Sequence, residues 1–405
     1  MEEVIAPPYD IVTPERQEAL YLKSPFNIAR VECGKEFAQD NDICNKYLRA
    51  SQSLKTWLTE GIIKFEEHPA FYLYEMAYPF EGRQMVMRGV FAAVRLVPHG
   101  QGIYPHEMTK AKPKLDRLNL MRACCANISP IFAIYNDPTK PLGQLYHKIF
   151  NSKPYFEFND DDSIHHKCWI VNAPHDVTAI ATHLSGNDLF IADGHHRYET
   201  ALEYQLIMRN QCELTPSNSQ RKDYDYVMML LVNAAEGGLT ILPTHRLLKS
   251  LPEDPIEALK GQFRVEYIDK SPLQRATPLA PYAIIEAING QPNTFGLYLQ
   301  GQQGFHILRY NGRQLQGMDA TDVVLLHNVV FKQLFDINDF GYEMDTARTI
   351  DMVTTGQFKA AFILNPTRVE DVELSAHTGI KMPPKSTYFY PKIPTGLVIN
   401  YLQDL

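Results

Sequence analysis

The chain has 405 residues, 45% of them hydrophobic and 21% charged, the proportions of an ordinary folded protein rather than a disordered, fibrous or coiled-coil one. Its formal charge of −8 offers no basic face that would gain from releasing counterions, so nucleic acid is a poor candidate for its main partner. The length predicts two or three subdomains, and six cysteines without a CxxC pair argue against a thiolate zinc site or a disulfide framework.

The opening MEEVIAPPYD is acidic and broken by Pro7 and Pro8, which reads as neither a secretion signal nor an anchor. No apolar run reaches the roughly 20 residues of a membrane span, so a cytoplasmic location is the expectation. In APPYDIV (6–12) the prolines make a rigid turn able to deliver Tyr9 and Asp10 to a groove. Residues 14–60 read as helical, with Ile43, Tyr47, Leu54 and Leu58 at helical spacing before Gly61. The segments 70–78 and 84–96 around Pro79, Glu81 and Gly82 read as a hairpin. Residues 105–126 turn helical and polar, and Cys124 and Cys125 read as small buried residues on that helix. SPIFAIYND (129–137), LFIAD (189–193) and YVMMLLVN (226–233) read as buried strands. Between the last two, a helix over 198–209 offers Ala201, Leu202, Leu206 and Met208 to one buried side. Beyond a break at SLPEDP (250–255), strands at 282–287 and 294–299, a hairpin at Asn311 and Gly312, and a helix over 322–334 complete the pattern. Strands alternating with helices predict an α/β protein with a mixed sheet.

The densest chemistry lies in LFIADGHHRYETAL (189–202). An apolar strand runs into Asp193 and Gly194, and a helix starts at or just after His195. A strand, a tight turn and a helix N-terminus collect unpaired N–H groups and a positive dipole end, which suits an anion. Gly194 lets the backbone turn sharply, Arg197 can fork onto phosphate oxygens, and His195 and His196 can donate to phosphate or shuttle a proton. Asp193 can hold a metal ion's water or orient a histidine. The bland alternative is an Asp193 helix cap beside one satisfied core histidine. Adjacent histidines point to different faces, so they do not chelate a metal by themselves. His165 and His166 follow an acidic run and read as a surface loop.

Upstream, IYPHEMTKAKPKLDRLNL (103–120) crowds His106, Glu107, Thr109, Lys110, Lys112, Lys114, Asp116 and Arg117 into twelve positions. If SPIFAIY lies beside LFIAD, this segment and the DGHHR turn meet at one sheet end, where open α/β sheets bind ligands. For any one of these residues a solvated helix face is the competing reading. LTILPTHRLLK puts Thr244, His245 and Arg246 at a strand end, and MPPKSTYFYPK joins Lys385, Ser386 and Thr387 to an aromatic triplet and a second lysine. The latter lacks the glycine spacing of a P-loop. Both are candidates to complete an anion site, against the alternative of a polar or aromatic core edge.

Taken in order, APPYDIV, PHEMTKAKPKLDRL, SPIFAIY, IADGHHRYETAL, LPTHRLL and MPPKSTYFYPKIPTGL resemble the family known as domain of unknown function 1015 along nearly the whole chain. Where such members begin with a strand ahead of APPYD, this chain starts at it. The stretch from PHE to DGHHRYETAL also resembles the ParB and sulfiredoxin-like superfamily, and within it the kinases of free L-serine. That resemblance implies a ParB/sulfiredoxin-like nucleotide-binding core over 101–249. An N-terminal helical region and hairpin (1–100) would pack on it, and a second α/β domain (250–405) would follow. It further implies that Asp193, Gly194, His195, His196 and Arg197 bind the phosphates of ATP or ADP with Mg²⁺, and that Glu107 deprotonates the acceptor hydroxyl. The expected activity is phosphoryl transfer from a nucleotide to a small-molecule hydroxyl, with Lys110, Thr244, His245, Arg246, Lys385, Ser386 and Thr387 as further contacts. A nucleotide hydrolase or phosphatase would use the same cradle with water as acceptor. A nucleotide-gated ParB-like binding protein is the third reading, disfavoured by the acidic balance and by the lack of a helix-turn-helix segment. The sequence leaves the oligomeric state open.

Overall fold

The structure is a computed structural model describing residues 1–109, 111–140, 142–212, 222–269 and 280–402; of the candidate residues, Lys110 lies outside them. The chain is mixed α/β and divides into two compact units. One comprises Met1–Pro105, Thr109–Leu239 and Pro391–Leu405; the other comprises His106–Met108 and Thr240–Tyr390.

The first unit opens with helices α1 (Pro14–Lys23), α2 (Ala29–Glu32) and α3 (Lys46–Thr59). Thr13 caps α1 by accepting from the Arg16 amide, with Pro14 at the first position, and Asn45 caps α3 by accepting from the Tyr47 and Leu48 amides. Because α3 starts at Lys46, Ile43 falls outside it and is 89% exposed, a correction to the helical stretch predicted from 43. Strands β1 (Phe71–Phe80) and β2 (Arg83–Arg95) form the expected hairpin. Its two turn residues, Glu81 (φ 48) and Gly82 (φ 72), both lie at positive φ, as a type I′ turn requires.

There follow β3 (Ile103–Pro105), α4 (Ala111–Cys124), β4 (Ala126–Asn127), β5 (Ile131–Tyr135), α5 (Gly143–Phe150), β6 (Phe156–Asn159), β7 (His165–Val171), α6 (Pro174–Leu184), β8 (Leu189–Asp193), α7 (His195–Cys212) and β9 (Tyr226–Asn233). Eight of the strands make one sheet in the order β3-β8-β5-β9-β2-β1-β7-β6. The pairs β3/β8 and β5/β9 are parallel and the remaining pairs antiparallel. Central β9 is buried from Val227 to Asn233, as its unbroken apolar run predicts. Tyr198, Ala201 and Tyr204 of α7, Leu118 and Met121 of α4, and Ile180 and Leu184 of α6 join the core packed on this sheet. Helices α1 to α3 close a second core with Leu120 and Cys124 of α4.

Two expectations change here. Helix α7 starts at His195, as the DGHHR turn predicts, but buries Tyr198, Ala201 and Gln205 and leaves Leu206, expected on the buried side, 60% exposed. His166 belongs to β7 and not to a surface loop. It is fully buried, its Nδ1 2.6 Å from the Tyr74 hydroxyl and its Nε2 3.0 Å from Asp160, so both ring nitrogens are satisfied inside the sheet.

The second unit contains β10 (Thr240–Leu242), β11 (His245–Leu248), α8 (Pro255–Lys260), β12 (Phe263–Ile268), α9 (Ala280–Ile288), β13 (Thr294–Leu299), β14 (Phe305–Tyr310), α10 (Asp322–Leu325), β15 (Gly341–Glu343), α11 (Thr346–Thr354), β16 (Ala360–Ile363), α12 (Val369–Thr378) and β17 (Tyr388–Tyr390). Its six-stranded antiparallel sheet runs β12-β14-β13-β16-β11-β15, and β10 pairs with β17. Period-two alternation splits the apolar residues between the two faces. Leu247, Ala361 and Ile363 meet α9 and α11, whereas Leu248 and Phe362 meet Leu259, Leu325 and Phe331. The segment 282–287, expected as a strand, is helix α9. Its isoleucines at 284 and 288 are one helical turn apart and both fully buried, and a short apolar run does not by its period separate the two structures. The hairpin joins β13 to β14 rather than turning at Asn311 and Gly312. The predicted helix over 322–334 starts as α10 and continues as a π-helical segment, Leu326–Phe335.

Candidate functional site

The centre of the first unit's chemistry is the turn from β8 into α7. The strand ends at Asp193, and Gly194 carries a φ of +95, a conformation that disfavours any side chain. A Cβ there would also lie 2.9 Å from Nε of Arg197 and 3.1 Å from its Cζ, so the missing side chain is the space in which the guanidinium lies. The Asp193 carboxylate accepts from the Gly194 amide at 3.0 Å, and the Gly194 carbonyl accepts the first helical bond from Tyr198. The amides of the first turn of α7 have no intrahelical acceptor and set a positive dipole end at this point.

Two cations and a histidine act on one carboxylate. Arg197 Nη2 and Lys392 Nζ each lie 3.5 Å from Asp193 Oδ2, and His195, buried in the first turn, acts on it electrostatically. Burial by itself would raise the Asp193 carboxyl; Lys392, Arg197, His195 and the Gly194 amide outweigh it and hold the group far below the usual carboxylate range. The turn therefore keeps an ionised aspartate and an excess of positive charge. Arg197 Nη1 donates to the Pro130 carbonyl at the start of β5, a contact made possible because β5 runs antiparallel to β8. Its Nε is buried and has no hydrogen-bond partner among the described residues. His196, the second residue of α7, is half-buried.

The upstream segment is held against this helix. Glu199 of α7 accepts from Thr109 Oγ1 at 2.6 Å and from Lys114 Nζ at 2.9 Å. Burial pushes its carboxyl up, but those bonds win and leave it below the ordinary value. Arg117 is buried, donates to the carbonyl and carboxylate of Glu32 at 2.9 and 3.1 Å, and pairs with Asp116. Asp116 in turn pairs with Lys46 at 2.7 Å. The cations at 114 and 117 thus serve internal carboxylates.

His106 and Glu107 follow β3 directly in the chain and belong to the second unit. His106 is fully buried, with Nε2 2.9 Å from Thr387 Oγ1 and 4.0 Å from Glu107 Oε1, and its carbonyl accepts from the Met382 amide. Arg246, also fully buried, donates through Nε to His327 at 3.2 Å and through Nη2 to the Lys385 carbonyl at 3.1 Å. Its Nη1 bonds the Thr244 carbonyl, and its Cζ lies 4.9 Å from the centre of the Tyr342 ring. Burial lowers it to about 10 against the pull of Tyr342 and Glu107. His245 spends both nitrogens, accepting from the Leu364 amide at 3.2 Å and lying 2.8 Å from Thr346 Oγ1. Burial and the neighbouring Arg246 depress it to about 3, so it is neutral at any ordinary pH. The Ser386 hydroxyl donates to Pro383, and the Ser386 carbonyl accepts from Thr367. This unit therefore gathers His106, Glu107, Thr244, Arg246, Lys385 and Thr387, with the 385–387 segment joined to the others by backbone and hydroxyl contacts.

A cavity of about 270 Å³ in the second unit, lined in part by Asn289, Asp322, Arg368 and Asp371, contains none of the charged motif residues. Its polar groups serve each other, Arg368 bonding Asp371 at 2.8 Å and Asp322 the Asn293 amide at 2.7 Å. Among the described residues no group of three or more His, Cys, Asp or Glu is placed to hold a metal ion. None of their helices is long and apolar enough to cross a membrane.

Sequence reasoning met Lys392 only as the second lysine of MPPKSTYFYPK, a segment able to complete an anion site, and did not single it out among the candidate residues. The signal for Lys392 was a lone lysine between Tyr390, Pro391 and Ile393, where burial demands a carboxylate partner.

Residues 1–326 match the profile of a family described as "Protein of unknown function (DUF1015)". No curated protein matches the chain. Among solved structures it is similar to a free serine kinase in complex with AMP, at 13% identity and a TM-score of 0.33, covering 74% of this chain and 86% of that one. It is similar also to a conserved hypothetical protein from Pyrococcus furiosus (14%, TM-score 0.34, covering 76% and 93%). A third is SbnI of Staphylococcus aureus with a C-terminal truncation (11%, TM-score 0.37, covering 75% and 84%). Likeness at this level lends this chain no function.

Proposed function

The chain belongs to the DUF1015 family, and from that premise we propose that it is a nucleotide-dependent phosphotransferase acting on the hydroxyl of a small molecule. The observation that carries this reading is the β8–α7 turn. There Arg197, with an unpartnered buried Nε, Lys392 and the dipole end of α7 surround a single ionised aspartate. A ligand that only accepts hydrogen bonds and carries more than one negative charge matches that supply of donors, and a nucleotide's phosphates are such a ligand. Asp193 orients Arg197 and Lys392 from below. It is also the carboxylate at the turn available to Mg²⁺, which keeps most of its waters and binds through one or two carboxylates plus phosphate oxygens.

Phosphoryl transfer asks the protein mainly for positioning and charge neutralisation. Glu107 is assigned the base for the acceptor hydroxyl on its motif resemblance, and Arg246 and Tyr342 in its own unit act on it electrostatically. Free L-serine is the first acceptor to test, on the same resemblance, and the cytoplasm is the compartment we assign to the reaction. The test incubates the purified chain with ATP or ADP, Mg²⁺ and serine, then with a panel of amino acids and polyols, and follows phosphorylated product by mass spectrometry. A Glu107→Gln variant is expected to bind nucleotide as the wild type does and to lose product. No product from any acceptor, with no nucleotide binding by calorimetry, overturns the proposal. Acceptor-independent phosphate release that survives Glu107→Gln identifies a hydrolase instead.

A further inference from the structure

Two neighbouring residues of α7, Tyr198 and Glu199, hold both ends of the short stretch that carries Glu107. The stretch leaves β2, meets α7 at Val97, forms β3 and arrives at Thr109 just ahead of α4. At its start the fully buried Tyr198 hydroxyl donates to the Val97 carbonyl at 2.6 Å and accepts from the Val97 amide at 3.2 Å. Two residues on, the His99 ring lies 5.1 Å from the Tyr198 ring, with Nε2 4.0 Å from Glu199 Oε1. At its end the other oxygen of Glu199, Oε2, accepts from Thr109 Oγ1 at 2.6 Å and from Lys114 Nζ at 2.9 Å. One carboxylate in the second turn of α7 therefore ties His99, Thr109 and the start of α4 together.

Between those ties the strand register aims the chain. β3 runs parallel to β8 with Pro105 opposite Ile191. Glu107 stands two residues beyond Pro105, and Asp193 two residues beyond Ile191. Thr109 follows Glu107 by two peptide units, a reach of at most about 7 Å, so a Thr109 fixed on α7 leaves Glu107 little freedom. General-base catalysis depends on that freedom being small, because the rate falls steeply when the reacting groups are displaced. Stability makes a weaker demand on the same bonds. The packing of α4 on α7 already rests on Leu118, Met121, Tyr198 and Ala201, and Glu199, 28% exposed, lies where an ion pair adds little to the fold.

We infer that Glu199 is a positioning residue: through its bond to Thr109 it fixes the segment that presents Glu107, the proposed base, to the acceptor hydroxyl. The inference rests on the phosphotransferase reading and deepens it by naming the residue of α7 through which the base is held. Glu199 itself touches neither nucleotide nor acceptor in this account.

The test compares wild type with Thr109→Val, which removes the hydroxyl and keeps the shape, with Thr109→Ser, which restores the hydroxyl, and with Glu199→Ala. Thermal melts establish that each is folded at the assay temperature. Product formation is followed at saturating ATP or ADP with Mg²⁺ and serine, or the panel member that wild type phosphorylates, and ADP affinity is measured by calorimetry. Thr109→Val and Glu199→Ala are expected to lose about tenfold in kcat at wild-type ADP affinity, and Thr109→Ser to recover the wild-type kcat. If Glu199→Ala does not fold, the two Thr109 variants decide alone. A wild-type kcat in Thr109→Val or Glu199→Ala overturns the inference and leaves the phosphotransferase reading standing. A loss that Thr109→Ser does not recover, or that comes with equally weakened ADP binding, marks a structural role and overturns the inference as well. A wild type that forms no product from any acceptor overturns both.

Discussion

Replacing Gly194 with alanine tests the geometry of the turn most sharply, because two separate terms of its effect can be read from the structure. The φ of +95 lies outside the region that L-residues occupy without strain, which costs about 2 kcal/mol. The new methyl carbon would stand 2.9 Å from Arg197 Nε and 3.1 Å from Cζ and Nη2, so the guanidinium has to move and its bond to the Pro130 carbonyl is lost. A hydrogen bond to a charged group contributes about 2 kcal/mol, bringing the expected loss to about 4 kcal/mol. For a unit of this size that is a fall of about 10 °C in melting temperature. In an Arg197→Ala background only the backbone term survives, so the cost of Gly194→Ala is expected to drop to about 2 kcal/mol. Urea unfolding of the wild type, both single variants and the double variant measures the cycle. A Gly194→Ala protein as stable as wild type, or a cycle without coupling, refutes the account of the turn.

Other expectations follow from the charged and buried groups. Asp116 is held at about 2, burial opposing and Arg117 with Lys46 prevailing, so its ionised form stabilises the fold at neutral pH. Asp116→Asn is expected to lose about 2 kcal/mol at pH 7. The gap between variant and wild type should close as pH falls from about 4, the unfolded value, towards 2; urea melts showing a gap that widens in acid contradict this. His166→Leu strands the Tyr74 hydroxyl and the Asp160 carboxylate and is expected to cost about 3 kcal/mol, part of it recovered by adding Tyr74→Phe. Arg246→Lys cannot reach His327 and the carbonyls of Thr244 and Lys385 together, so hydrogen exchange is expected to show looser protection around β11. Lys392→Met leaves Asp193 with one fewer cation and is expected to weaken ADP binding about tenfold by calorimetry; unchanged affinity would remove Lys392 from the cradle.

Much of the architecture is local enough to be legible from residue order. YVMMLLVN and Thr294–Leu299 occupy the strands their apolar character predicts, the Glu81-Gly82 pair makes its hairpin, and LFIAD runs into a glycine turn and a helix. The failures share a cause. The segment at 282–287 has an apolar run too short for its period to separate strand from helix, and Ile284 and Ile288 settle it only by burying against the sheet. His166 follows three aspartates, and nothing in that neighbourhood announces Tyr74, ninety-two positions earlier, as its partner.

The same division runs through the candidate site. The sequence alone determined the turn itself: an apolar strand, Asp193, a glycine and a helix start are consecutive, and their chemistry is set by neighbours in the chain. It could not determine which other residues reach that turn. Pro130 arrives there because β5 lies antiparallel to β8, and Lys392 arrives from the far end of the chain, where Thr395 pairs with Ala6. Those long-range pairings are chosen by sheet register and by the need of a buried carboxylate for cations, neither of which leaves a period in the sequence. Only the tertiary structure decided that Lys114 and Arg117 spend their charge on Glu199, Glu32 and Asp116 while Lys392 and Arg197 share Asp193. A charge run shows how many cations are present; packing decides which carboxylates they meet.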